Sequence, residues 1–339
     1  MTMRALVCKA PGELVLETRP LPLRQPDQVL VRVRRIGICG TDYHIYEGKH
    51  PFLNYPRVMG HELAAEVVEV PQGSRFSAGD AVIINPYLSC GTCIACRKGK
   101  PNCCTRIEVL GVHRDGGMTE FLALPEANLL AANGLSLDAC AAVEFLAIGA
   151  HAVRRGGVGP GERALVVGAG PIGMGAALFA RLAGAEVHLL DRDTERLANI
   201  GSIVGAISTI VADADVDASV TAATGGEGFD IVFDATGAAA SMQKAFDFVA
   251  SGGRYVFVSV VKDTISFSDP AFHGREMTLY ASRNSTNADF ETVIAAMRNG
   301  HIPIDRIVTH RTDLDGATSN LPRWATEKTG LIKALIELE

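Results

Sequence analysis

No stretch of the sequence stays apolar for the roughly 18 residues that a membrane-spanning helix needs. The chain also lacks a basic excess. Its 32 lysines and arginines stand against 38 acidic residues, a net charge of −6 with a pI near 5.9. That balance argues against nucleic acid as a main partner, since nucleic acid calls for a basic patch. There is no internal repeat and no low-complexity tract. The opening MTMRALVCKAPGELVLE alternates as a strand does and lacks the apolar core of a signal peptide. A cytoplasmic protein is therefore expected, with cysteines that stay reduced and serve better as metal thiolates than as disulfides. What is present is ordinary for a soluble globular protein: 47% hydrophobic and 21% charged residues. At 339 residues the chain exceeds one common core, so two domains are expected.

The rhythm of the chain changes near Glu162. Before it, segments such as QVLVRVRRIGIC, HELAAEVVEV and DAVIINP are β-branched runs broken by proline and glycine, as in a β-rich barrel or sandwich. After it, strands alternate with helices: ALVVGAG, then PIGMGAALFARLAG with Gly184 as a stop, then EVHLLD, and so on to GRYVFVSV. Alternation of this kind predicts an α/β region with a parallel, doubly wound sheet over about 155–281. One amphipathic helix, DFETVIAAMRNG, and a mixed segment ending LIKALIELE close the chain.

Gly168-Ala169-Gly170-Pro171-Ile172-Gly173 leaves a predicted strand and enters a predicted helix, and Asp191 closes the next strand. In that context the glycines permit a tight turn and close approach to a pyrophosphate, which sits where free helix N–H groups point at it. Pro171 gives up an N–H that a first helical turn leaves unpaired. Asp191 can accept hydrogen bonds from adenosine ribose hydroxyls and repels a 2′-phosphate, which favours NAD. Arg192 follows and could pair with that phosphate, which keeps NADP open.

Five of the eight cysteines fall within Ser89–Cys104. Cys90, Cys93, Cys96 and Cys104 form C-x2-C-x2-C-x7-C, a soft, closed, tetrahedral set that suits a structural zinc and leaves no corner for substrate. Cys103 could stand in for Cys104, and the cations between the thiols are expected to temper their negative charge. A catalytic zinc needs three protein ligands and one open position. Read singly, Cys39 in GICGTDYH and His61 in VMGHELAAE are a buried thiol and a core or surface histidine. Glu144 is different. It lies in the apolar run ACAAVEFLAIGAHAV, where an unpaired carboxylate is expensive to bury, so it reads as a metal ligand or an arginine partner. His151 lies on the same helix face as a rival ligand or a locally bonded side chain. His113, Arg114, Arg283 and Asn284 are pocket candidates or surface residues, and Trp324 has no assigned role.

Taken together, GICGTDYH, GHE at 60–62, the four-cysteine lobe, VVGAGPIG and Asp191 resemble, in order and spacing and over essentially the whole chain, the zinc-containing medium-chain dehydrogenase/reductase family. The resemblance implies a GroES-like catalytic domain over 1–150, with its zinc lobe near 88–106. It further implies a Rossmann NAD-binding domain over 151–283 and a return to the catalytic domain over 284–339. It implies two zinc ions per chain, the catalytic one held by Cys39, His61 and Glu144. Thr41 would contact the reacting alcohol, Asp42 would orient the ligand histidine, His44 would end a proton relay, and Glu62 would stand beside the metal. A carboxylate where alcohol dehydrogenases carry a cysteine points to the sorbitol and polyol or sugar-acid branch. The reaction implied is oxidation of a secondary alcohol to a ketone by NAD. Threonine or general alcohol dehydrogenases, and a non-catalytic nucleotide-binding regulator of the same fold, are the alternatives. A small-molecule alcohol is the expected partner, within a homodimer or homotetramer, and the apolar strand YVFVSV is expected to be a pairing edge.

Overall fold

A computed structural model describes residues 1–50 and 53–339. The chain divides into two compact units, Met1–Glu144 with Thr286–Glu339, and Phe145–Ser285.

The first unit is β-rich because its apolar residues alternate. In Gln28–Ile38, for example, Val29, Val31 and Val33 are fully buried while Arg32 is exposed. That strand is central to the main sheet, whose order is Leu129–Ala131, Ala81–Ile84, Glu62–Glu69, Gln28–Ile38, Lys333–Glu337, Val308–Asp313. Its first half also pairs with Phe121–Pro125. On one side Gly37 lies opposite Glu62, and on the other it lies opposite Leu335. The last strand of the chain thus joins a sheet whose earliest strand is Gln28–Ile38, around an aliphatic core that includes Leu6, Ile36, Leu63 and Ile336. The apolar surface so removed from water contributes roughly 25 cal/mol per Å².

The second unit carries a six-stranded sheet in the order Ser208–Val211, Glu186–Asp191, Arg163–Val167, Phe229–Asp234, Val249–Phe257, Thr278–Ala281. Every pairing in it is parallel. The strands run outward in both directions from Arg163–Val167, so the order reverses beside it. Ligands of open α/β sheets bind outside the strand ends at such a point. The pairing edge expected at YVFVSV is a correction: Val249–Phe257 has a partner on each side, and Thr278–Ala281 is the outer strand. An apolar run marks a strand buried by neighbours, which an edge strand is not. Among the described residues no helix is long and apolar enough to cross a membrane.

Candidate active site

The helix Gly40–Tyr46 begins where the central strand of the first unit ends, with Cys39 at its N-cap and Asp42 at its third position. Asp42 is fully buried and accepts the Cys39 N–H at 2.9 Å through Oδ2. Through Oδ1 it accepts the Gly60 N–H at 3.1 Å and stands 4.0 Å from His61 Nδ1. One carboxylate therefore pins the two backbone stretches that deliver Cys39 and His61, far apart in sequence. The ligand atoms of Cys39, His61 and Glu62 lie within 4.8 Å of one another.

Glu144 is not part of that group. It is buried in the first turn of Val143–Gly156, and its carboxylate accepts the Tyr87 hydroxyl. It remains close enough to feel the charges of His61, Glu62 and Lys333. The carboxylate grouped with the sulfur and imidazole is thus Glu62 rather than Glu144. His151, the rival on the Glu144 helix, bonds to Arg154 through Nδ1 at 3.0 Å. Thr41 is half-buried and His44 exposed on the helix that starts after Cys39.

The electrostatics of the cluster fit a divalent cation. Asp42, Glu62 and Glu144 are all buried, with the Cys39 sulfur beside them, and a fixed cation among them is Lys333. Burial pushes Asp42 and Glu144 above the usual carboxylate range. Burial also works against charge on His61, yet the Cys39 sulfur and Asp42 outweigh it and hold its pKa well above the usual value. Sulfur, imidazole and carboxylate are the donors of a zinc site with an open position. His61 Nδ1 is buried without a hydrogen-bond partner among the described residues. A nitrogen left so, facing Asp42, suits an imidazole oriented to present its other nitrogen to a metal.

The four cysteines of the lobe converge as spaced. Cys90, Cys93, Cys96 and Cys104 form a second ligand group, while Cys103 is exposed and outside it. The cation that tempers the thiols is Arg106, beyond the run. Its hydrogen bond to Cys90, with N–H groups of Thr92 and Cys93, lowers that thiol to about 5. N–H groups of Cys96 and Thr105 lower Cys93 to about 6. Burial, then the neighbouring Cys93 and Cys104 sulfurs, push Cys96 up to about 11. Four thiolates cannot ionise together without a counter-charge, which a zinc ion provides.

In the second unit the glycine turn joins Arg163–Val167 to the helix Pro171–Leu182. Gly168 has φ of +96°, and a Cβ on Gly173 would fall 1.8 Å from the Gly168 carbonyl oxygen, so both positions demand glycine. Among the described residues no side chain caps this helix, and a Cβ on Gly170 would meet nothing within 4 Å. The start of this helix thus leaves room beside Gly170 for a pyrophosphate, which first-turn N–H groups can bind. Pro171 and Ile172 are half-buried at its start. Asp191 accepts the Ala169 N–H at 2.7 Å and the Asp193 N–H at 3.0 Å, with Arg196 at 3.7 Å, while Arg192 is exposed.

The sequence reading missed Lys333, Tyr87, Arg106 and Arg196. Lys333 carried a signal: a lysine amid the apolar LIKALI is as costly to bury unpaired as Glu144.

The chain is similar to known zinc-type dehydrogenases. Residues 25–134 match the alcohol dehydrogenase GroES-like domain, and residues 171–299 match the zinc-binding dehydrogenase domain. The chain is 40% identical over 336 residues to the L-galactonate-5-dehydrogenase of Escherichia coli K12, covering 99% of each. A crystal structure of an alcohol dehydrogenase from E. coli CFT073, complexed with NADH, superposes with a TM-score of 0.93 at 28% identity over 99% of both chains. A zinc-binding dehydrogenase from Sinorhizobium meliloti 1021, bound to NADP, gives 0.90 at 28% identity over 100% of both.

Proposed function

The chain belongs to the zinc-type medium-chain dehydrogenase/reductase family, and from that premise we propose that it oxidises a secondary alcohol of a sugar acid or polyol to the ketone, with zinc and NAD. The observation that carries the reading is the convergence of Cys39, His61 and Glu62 within 4.8 Å, braced by Asp42. Cys39 and His61 would hold the catalytic ion together with Glu62 or Glu144, and Cys90, Cys93, Cys96 and Cys104 would hold the structural one. A zinc ion so held supplies Lewis acidity that brings an alcohol's pKa toward neutrality, and nicotinamide is the hydride acceptor. The Thr41 hydroxyl would accept the substrate proton while donating its own to the nicotinamide ribose hydroxyl, from which His44, exposed three positions further on, would pass a proton to solvent. Gly168, Gly170 and Gly173 admit the pyrophosphate at the start of the helix, with Pro171 and Ile172 in its first turn. Asp191 accepts the adenosine ribose hydroxyls and disfavours a 2′-phosphate, which supports NAD over NADP. The identity to a sugar-acid dehydrogenase supports a substrate of that class.

The test is a panel of six-carbon sugar acids, polyols, L-threonine and simple alcohols with NAD or NADP, followed by the absorbance of the reduced nicotinamide. NAD reduction is expected with a sugar acid or polyol, lost in Cys39→Ser while NAD binding persists. Near wild-type turnover by Cys39→Ser would overturn the assignment. Turnover of L-threonine alone would overturn the substrate class.

A further inference from the structure

Lys333 has a side chain only 2% exposed, with its ammonium 2.7 Å from both oxygens of Glu62 and 3.3 Å from the Ile38 carbonyl. The two partners are not on adjacent strands. Glu62 opens a strand on one side of Gln28–Ile38, and Lys333 opens a strand on the other. The carboxylate reaches across the strand between them at Gly37. A Cβ there would fall 2.0 Å from Glu62 Oε2 and 2.8 Å from Glu62 Cβ, so the Glu62 side chain occupies the space a side chain at position 37 would take. Glu62 nonetheless stays within the Cys39 and His61 group. It lies between an ammonium and a metal position, and both draw on the same lone pairs.

Stability gives little reason for such a pair. A buried ion pair often does no better than apolar residues of similar volume, because its desolvation offsets the attraction. We propose that Lys333 is a positioning residue that sets how Glu62 meets the metal. By holding both carboxylate oxygens across Gly37, it keeps Glu62 from closing on the ion with two oxygens and so preserves a position for substrate. This inference rests on the reading of Cys39, His61 and Glu62 as a metal site.

Full-length protein loaded with Co²⁺ tests it, with the visible d–d absorption taken as the difference from Cys39→Ser to remove the lobe's contribution. Absorption weakens as coordination rises above four. In K333M it is expected to weaken at full metal occupancy, with the KM for the alcohol rising roughly 10- to 100-fold. K333R, which keeps a cation with two parallel donors, is expected to restore both. A K333M spectrum and KM matching wild type would overturn the role. Should K333M fail to fold, Gly37→Ala displaces the carboxylate from the same crossing with Lys333 intact. A changed spectrum in that variant supports the proposal, and an unchanged one overturns it. Wild-type protein that binds cobalt only at the lobe overturns the metal-site reading itself, a separate and recognisable failure.

Discussion

Asp42→Asn is nearly isosteric, yet it should cost both stability and metal. The native carboxylate accepts two backbone N–H groups, from Cys39 at 2.9 Å and Gly60 at 3.1 Å, with no exposure to water. An asparagine has one acceptor oxygen, so one of those donors must face an NH2 group. A buried donor left unpaired costs about 1–3 kcal/mol. At roughly 2–4 °C per kcal/mol for a domain of this size, the melting temperature should fall by about 2–12 °C. The variant also removes the negative charge 4.0 Å from His61 Nδ1, a change of the kind that lowers metal affinity roughly 10- to 100-fold. The assay is a thermal melt with and without chelator, paired with zinc competition against a chromophoric chelator. Asp42→Ala, which orphans both donors, should melt lower still. An Asp42→Asn protein with wild-type melting and wild-type zinc retention would refute the idea that this carboxylate organises the site.

Three further outcomes are expected. Gly173→Ala must move its new methyl out of a 1.8 Å approach to the Gly168 oxygen, so NAD affinity should fall at least about tenfold by calorimetry while the metal count holds. Cys96→Ser should drop bound zinc from about two to about one per chain by elemental analysis and lower the melting temperature, because a closed four-sulfur site contributes folding energy. Burial pushes Asp138 up, but the Arg311 and Arg35 guanidiniums outweigh it and hold its pKa below the ordinary value. A depressed carboxylate adds stability that is complete above its unfolded pKa of about 3.9 and lost as pH falls through the lower folded value. Asp138→Asn should therefore be less stable by about 1–2 kcal/mol at pH 7, and a denaturant titration should show that gap closing as pH falls below about 4.

The four-cysteine spacing, the glycine turn and the change from β-rich to alternating elements were legible in the sequence because each is local. A thiol spacing fits one ion, a turn fixes its glycines, and periodicity reports which face is buried. Cys39 and His61 were weaker signals, since neither neighbourhood states what the other supplies; their family context carried them. What the linear chain could not decide is which carboxylate stands by the sulfur and imidazole. Glu144 drew notice by its apolar surroundings, but in the folded protein that carboxylate accepts the Tyr87 hydroxyl and Glu62 is the one grouped with Cys39 and His61. Nor does the sequence say why Gly37 is a glycine or that a lysine six residues from the chain's last glutamate sits beneath Glu62. Those facts arise only when the last strand is added beside Gln28–Ile38. Sheet register, not sequence proximity, determines which charges share a dry space, and in a dry space each charge must find its counterpart.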